Sequence, residues 1–291
     1  MWLRRYKDIV SSRLMLSATI FSALLVILIA LGLVQKSIPI FSVQSLGDLL
    51  FSSSWHPLKG EFGLYPFIVG TFAVTAVAMV IAIPLCLLTS IYLAEYAPGR
   101  LRGLAKPVID LLAGIPPVVY GLWGILVIVP IVREIAALLG IASNGYNILT
   151  AGIVLAIMVF PVIISISEEV IKNVPHEMRE ASMALGGTKW QATKLVIWRG
   201  AFPGIVAAII LGFSRAFGET MAVLMVVGNV AKVPTSVFDP AYPLTALIAN
   251  NYGEMMSIPM YDSALMLAAL VLLILVFLFN VGARLILIKS E

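Results

Sequence analysis

Two charged residues, Arg215 and Glu219, interrupt a stretch that is otherwise apolar from Gly200 to Ala231. Arg215 lies 15 residues beyond Gly200, about 22 Å along a helix, which places it deep in a hydrocarbon core about 30 Å thick. Residues four positions apart share a helix face, so Glu219 is predicted to pair with Arg215. A guanidinium presents a planar fork of donors that suits tetrahedral oxyanions, and the carboxylate would keep anion binding weak. The pattern indicates an anion pathway, or an ion pair that only joins helices.

Two glycines, Gly212 and Gly218, flank these charges. Small residues let helix backbones approach closely inside a membrane. We therefore expect a neighbouring helix to pack tightly at both positions.

A second concentration of charge, residues 168–199, separates two apolar stretches. Pro175 suits a helix start, and His176–Leu185 contains strong helix formers. Gly186 and Gly187 supply a left-handed helix stop, and Thr188 is predicted to cap a second helix that continues into the next apolar stretch. The segment is therefore predicted to form a helix–turn–helix elbow at a membrane surface.

One side of the first elbow helix is small and apolar. Residues spaced by three and four positions share a face, and here they are Met178, Ala181, Ala184 and Leu185. We expect this stripe to dock in a groove on a partner protein.

The composition excludes an ordinary soluble domain. Of 291 residues, 61% are hydrophobic and 12% are charged, against about 25% charged in soluble domains. The net charge of +4 is spread over short loops, which favours a membrane partner over nucleic acid. The one cysteine, Cys86, allows no disulfide within the chain and no cysteine metal cluster. We expect no cofactor, and no G-x-x-x-x-G-K-[ST] motif is present, so energy for driven transport would come from another subunit.

Six apolar stretches are long enough to span a bilayer as helices. Their predicted ranges are 14–34, 64–94, 110–132, 146–167, 200–228 and 263–284. Lys and Arg concentrate in the amino-terminal tail, the 95–110 loop, the 168–199 loop and the carboxyl tail, while the opposite loops hold only Lys36, Lys59, Arg133 and Lys232. This asymmetry predicts that both termini and the elbow are cytoplasmic.

Other classes of protein fit parts of the sequence less well. The first span could be a cleaved signal peptide, although its apolar run exceeds the usual core of about 7–15 residues. An intramembrane Ser–His hydrolase is disfavoured, because His56 and His176 lie in loops on opposite faces. A channel or an ion-coupled carrier remains an alternative, but neither would need the elbow.

The elbow resembles the cytoplasmic loop of ABC importer membrane subunits, whose signature is Glu-Ala-Ala, three residues, Gly, nine residues, Ile, one residue, Leu-Pro. Glu180, Ala181 and Gly186 match, and Ser182 replaces the second alanine. The resemblance implies that these residues, with Leu185, lie in a cleft of a cytoplasmic ATPase and transmit its closure.

The match weakens beyond the elbow turn. Val196 stands where isoleucine is expected, and Trp198-Arg199 stands where Leu-Pro is expected, with Pro203 following. This departure concerns how the chain enters the fifth span and leaves the docking helix unaffected.

Residues 211–223, Leu-Gly-Phe-Ser-Arg-Ala-Phe-Gly-Glu-Thr-Met-Ala-Val, resemble the PstC-type membrane subunit of the phosphate ABC importer. The segments 114–122 and 244–249 are similar to the same family. The resemblance implies a phosphate pathway that includes Arg215, Glu219 and Thr220. It leaves open the sister PstA-type subunit and importers of sulfate or molybdate.

The same resemblance implies an architecture and a set of partners. The fold would be all-α and integral to the membrane, the type I ABC importer permease fold with six transmembrane helices. Residues 1–63 would form the tail, first helix and external loop, and residues 64–285 the transmembrane domain. The expected partners are a homologous PstA-type subunit, two cytoplasmic ATPases and an external phosphate-binding protein, in a bacterial or archaeal cytoplasmic membrane. The chain itself would not be an enzyme.

Overall fold

The computed structural model describes residues 2–255 and 257–290, and this part of the chain is mostly helical. Its α-helices are α1 (Trp2–Ser37), α2 (Leu46–Phe51), α3 (Tyr65–Ile91), α4 (Gly99–Gly114), α5 (Pro117–Trp123), α6 (Val129–Leu138), α7 (Ile148–Asn173), α8 (His176–Ala184), α9 (Lys189–Val196), α10 (Phe202–Phe217), α11 (Met221–Val226), α12 (Leu244–Asn251) and α13 (Tyr261–Ser290). A short antiparallel hairpin pairs β1 (Trp55–His56) with β2 (Glu61–Phe62).

Wider π-helical turns and tighter 3₁₀ turns complete the helical structure. The π turns extend α3 (Tyr92–Tyr96), join α5 to α6 (Gly124–Ile128) and join α9 to α10 (Ile197–Ala201). The 3₁₀ turns are Ile38–Ser42 and Pro57–Lys59. The second elbow helix therefore runs into the fifth span without a break, as predicted.

Within the described residues, six helical segments are long and apolar enough to cross a membrane, which confirms the predicted number. They are Ile9–Ser42, Tyr65–Tyr96, Pro117–Leu138, Ile148–Asn173, Lys189–Phe217 and Tyr261–Gly282. The fourth span, α7, ends at Asn173 and so extends past the predicted end at residue 167 into the charged segment.

The third span begins later than predicted. Helix α4 ends at Gly114, and α5 begins at Pro117, so residues 110–114 belong to a separate preceding helix. Prolines lack an N–H donor and push the preceding residue out of the helical region, and Ile115 and Pro116 are extended, with ψ of 128° and 141°. The predicted start at residue 110 is therefore wrong.

The fifth span differs at both ends from the predicted range 200–228. Its helix begins at Lys189 and ends at Phe217. Residues 218–220 are not helical, and the short helix α11 follows them. The predicted continuous helix through Arg215 and Glu219 is therefore wrong.

The most extensive helix contact in the described part of the chain is between α3 and α7, and α10 packs against both of them. Small residues bring these helices together: a Cβ built on Gly152 would lie 2.4 Å from Val77 Cγ1, and one on Gly212 would lie 2.5 Å from Ile163 Cγ1. The close approach predicted at Gly212 is confirmed. At Gly218 a Cβ would meet only Ser214 O of its own helix at 3.7 Å, so that part of the prediction is wrong.

Helix α1 lies at the edge of the bundle against α13. From Ile9 to Val34 most of its apolar side chains are exposed, for example Leu14, Phe21 and Leu31. Exposed apolar surface of this extent suits contact with lipid tails, which are as apolar as leucine.

Candidate functional site

The fifth span breaks at Gly218-Glu219-Thr220, next to the buried end of α10. Glu219 Oε1 accepts the backbone N–H of Ala222 at 3.2 Å, so its carboxylate lies at the start of α11. A negative charge is favourable there because the unpaired N–H groups of a helix start carry partial positive charge. Thr220 Oγ1 donates to Gly218 O at 3.3 Å. The break is thus held by its own side chains.

Arg215 lies half-buried in the last turn of α10. Among residues 2–255 and 257–290, it makes no hydrogen bond and no ion pair, so the predicted pair with Glu219 is wrong. The physical reason is the helix end at Phe217, which removes the four-residue spacing on one face, while Glu219 caps α11 instead. The phenol of Tyr120 lies within electrostatic reach of the guanidinium.

A narrow crevice beside the break is lined by hydroxyl groups as well as by Glu219. Thr71 Oγ1 donates to Phe67 O at 2.7 Å and accepts the N–H of Leu244 at 2.9 Å. Thr245 Oγ1 donates to Glu219 O at 3.1 Å. These contacts join α3, α12 and the break, so the geometry of Glu219 is fixed from two sides.

The sequence reasoning missed these threonines. Thr71 and Thr75 both line the crevice and lie one helical turn apart in α3. Hydroxyls at that spacing inside an apolar helix are a usable signal, because polar groups at membrane depth face the protein interior. Thr245 could not be found in this way, since its partner is 26 residues away.

The elbow is formed by α8, α9 and the turn between them, residues 176–196. Gly186 has φ of +82°, the left-handed conformation that glycine adopts at helix ends. The N–H groups of Gly186 and Gly187 donate to Met183 O (2.9 Å) and Ser182 O (3.1 Å). The predicted glycine stop is confirmed.

The second elbow helix begins as predicted. Thr188 Oγ1 accepts the N–H of Gln191 at 3.3 Å, and Gln191 Oε1 accepts the N–H of Thr188 at 2.8 Å. This reciprocal capping box satisfies two N–H groups that have no partner inside the helix.

The elbow presents an exposed apolar surface near its turn. Leu185 is 90% exposed and Trp190 is 56% exposed, and Ala181 and Ala184 are also exposed. Met178, by contrast, packs into an apolar cluster of the elbow and the adjacent spans. The predicted stripe is therefore wrong at Met178, and the sequence reasoning missed Trp190.

The polar residues of the elbow divide into exposed and buried groups. The side chain of Glu180 is 66% exposed and contacts His176 Nδ1 at 3.2 Å. Arg179 is 12% exposed and contacts Glu95, which is 8% exposed. Because Glu95 ends the second span, this contact confirms that the 95–110 and 168–199 segments lie on the same side. The partnership was missed because the two residues are 84 positions apart.

The chain is similar to known transport proteins over most of its length. A family model described as "binding-protein-dependent transport system inner membrane component" matches residues 86–287. A probable ABC transporter permease protein, YqgH of Bacillus subtilis strain 168, is 38% identical over 94% of this chain and 89% of its own length. The phosphate transport system permease protein PstC of Xylella fastidiosa strain Temecula1 is 37% identical over 83% of this chain and 79% of its own length.

Solved structures show the same fold. A chain of the MetNI methionine ABC transporter, in an inward-facing conformation, has a TM-score of 0.60 and 19% identity, and the match covers 78% of this chain and 97% of that one. A likeness at this identity confirms the predicted type I ABC importer permease fold. With the six spans and the matched family model, this multi-pass chain belongs to the family of inner-membrane components of binding-protein-dependent transport systems.

Proposed function

We propose that this chain is a PstC-type permease subunit that translocates inorganic phosphate across the cytoplasmic membrane, driven by a separate ATPase. The observation that carries the proposal is its similarity to PstC proteins of several bacteria, at 32–37% identity over most of the chain. The guanidinium of Arg215, which has no hydrogen-bond or ion-pair partner among residues 2–255 and 257–290, lies beside a helix break, and this arrangement supports anion transport.

The proposed pathway comprises Arg215, Glu219 and Thr220. Arg215 would attract phosphate as a permanent cation with a fork of donors. Glu219, held at the start of α11, would repel the anion and keep it weakly bound, which allows release. Thr220 would contribute a hydroxyl at the same break.

The proposed coupling surface lies on the elbow. Glu180, Ala181 and Leu185 are exposed to a partner, while the carbonyl of Ser182 and the backbone of Gly186 hold the turn that shapes it. We place this surface in the cleft of one of two cytoplasmic ATPases, with both termini of the chain in the cytoplasm. The other proposed partners are a homologous PstA-type subunit and an external phosphate-binding protein. We also propose residues 64–285 as the transmembrane domain that these partners contact.

The test is ATP-driven uptake of labelled phosphate by the complex, co-purified and reconstituted in lipid vesicles. Arg215→Ala and Glu219→Ala should abolish or strongly reduce uptake while the complex still assembles, because within the described residues neither side chain joins two helices by an ion pair. Arg133→Ala is the matched control, since Arg133 is exposed in α6. Normal uptake by both site variants would refute their assigned roles.

Two further outcomes would change the proposal. Stronger competition from sulfate or molybdate than from unlabelled phosphate would identify a different oxyanion as substrate. Uptake by the chain alone, without an ATPase but with an ion gradient, would indicate an ion-coupled carrier.

A further inference from the structure

The side chain of Arg179 is enclosed where α8 meets the ends of two membrane spans. Its Nε donates to Glu95 Oε1 at 3.0 Å and to Oε2 at 3.2 Å, and Nη2 donates to Oε1 at 2.6 Å. The exposed fractions are 12% for Arg179 and 8% for Glu95. Fork-shaped pairs of this kind are strong and geometrically specific. The contact therefore fixes α8 relative to the π turn that ends the second span.

The remaining donors of Arg179 go to backbone carbonyls. Nη2 donates to Ile171 O at 2.8 Å, and Nη1 donates to Val174 O at 2.7 Å and Pro175 O at 3.4 Å. All five N–H donors of the guanidinium thus have acceptors. Ile171 lies in the last turn of α7, where carbonyls lack helical partners and a cation is favourable. One side chain consequently joins α8 to both α3 and α7.

A second contact joins the elbow to the same π turn. Lys189 Nζ, at the start of α9, lies 4.5 Å from the centre of the Tyr96 ring, a cation–π contact. In addition, Arg102 of α4 donates to Leu93 O and Ala94 O, both at 2.8 Å. The π turn is therefore held from α8, α9 and α4. Irregular π turns of this kind are frequent at functional sites.

Burial makes this link different from the contact between His176 and Glu180, also in α8. The His176–Glu180 contact is 73% and 66% exposed, and exposed pairs contribute little. Removing one partner of a buried pair leaves an uncompensated charge, so a substitution of either residue should weaken the attachment of α8 to the π turn. A displacement of α8 should move the ends of α3 and α7 with it.

We propose that Glu95 and Arg179 are positioning residues that transmit movement of the elbow to the second and fourth spans. This inference rests on the proposed function, in which an ATPase contacts the elbow. Without the link, the ATPase would still bind the exposed face of α8 and hydrolyse ATP, but the spans would follow its movement less completely.

The experiment measures phosphate transported per ATP hydrolysed by the complete reconstituted complex. The variants Glu95→Gln and Arg179→Lys should lower this ratio at least about fivefold, the lower end of typical coupling between sites, while assembly and ATP hydrolysis persist. The double variant should be no worse than the poorer single variant, because the two residues act as one unit. The matched controls are Glu169→Gln and Arg100→Lys, which alter exposed side chains and should keep the wild-type ratio.

A reversible cross-link keeps the test decisive if those variants fail to assemble. Cysteines replacing Tyr96 and Lys189, joined by a short thiol reagent, would lock the elbow to the π turn; the native Cys86 is buried. The proposal expects the locked and unlocked forms to have equal ratios, because the two parts already move together. A fall on locking would overturn it.

The variants also separate this inference from the proposed function. A wild-type ratio in both Glu95→Gln and Arg179→Lys would overturn the link and leave the transport assignment intact. Absence of ATP-driven phosphate uptake in the wild-type complex would instead refute the proposed function.

Discussion

Gly186 controls the shape of the elbow through its backbone alone. Its φ is +82°, and a Cβ built on it meets no atom within 4 Å. A substitution therefore costs only the strain of a left-handed backbone, about 1–2 kcal/mol for an ordinary residue. That cost lowers the population of the observed turn, relative to other turns, by about 5- to 30-fold. Asparagine visits this conformation more readily, and a β-branched residue does so least.

The consequence for the proposed coupling surface is a graded loss of ATPase affinity. The apparent dissociation constant rises as the binding-competent fraction falls. We expect the order Gly186, Gly186→Asn, Gly186→Ala and Gly186→Val from tightest to weakest, measured by titrating purified ATPase against the solubilised permease complex. For alanine, the apparent dissociation constant can rise by at most about 5- to 30-fold. The rise reaches this limit only if the observed turn becomes a minor conformation of the elbow.

The control for this series is Gly103→Ala. Gly103 lies in the interior of α4, and a Cβ there also meets no atom within 4 Å, but its φ is not positive. Alanine should be tolerated or slightly stabilising there. The reasoning would be refuted if Gly186→Ala and Gly186→Val both bound ATPase as tightly as wild type, or if Gly186→Asn were as weak as Gly186→Val.

Three other predictions concern local structure. Thr188→Ala removes the acceptor of the capping box and should destabilise the elbow by about 1 kcal/mol, seen as faster amide exchange in α9. Gly145→Ala combines φ of +88° with a Cβ 2.4 Å from a backbone carbonyl oxygen, and should lower the thermal midpoint more than Gly140→Ala, which has φ of +72° but open space. Hydrogen bonds from Thr235 hold the pKa of Asp239 below its usual value. The hydrogen bonds that the ionised carboxylate accepts should therefore stabilise the 235–239 loop above the usual pKa, and this stabilisation should be lost as pH falls through the lowered pKa. If the protection of the loop amides from exchange, relative to their intrinsic rates, did not fall at acidic pH, the prediction would be contradicted.

Features that depend on neighbouring residues could be predicted from the sequence. The number of spans follows from the length of apolar runs, because a helix needs about 20 such residues to cross a bilayer. The elbow turn follows from Gly186 and Thr188, whose conformational and capping preferences act within a few residues. The family signature could be recognised for the same reason, because Glu180, Ala181 and Gly186 lie in one short segment.

Features that depend on distant residues were decided by the tertiary structure. The spacing of Arg215 and Glu219 permits a pair in a continuous helix, but the helix ends at Phe217, and Glu219 caps α11 while Thr245 holds its carbonyl. Nothing local distinguishes a glycine that continues a membrane helix from one that ends it, because the outcome depends on which neighbours satisfy the freed backbone groups.

Arg179 illustrates the same limit on the other side of the membrane. Its sequence neighbours mark it as one more charge on an exposed helix, yet folding brings Glu95 and the end of α7 around it. A buried ion pair forms only when both partners are brought together with their remaining hydrogen-bonding groups satisfied. The local sequence therefore determined the number of spans and the turn of the elbow. Tertiary contacts decided which charges are paired, as at Arg179, and which, like Arg215, are left without a partner within the described part of the chain.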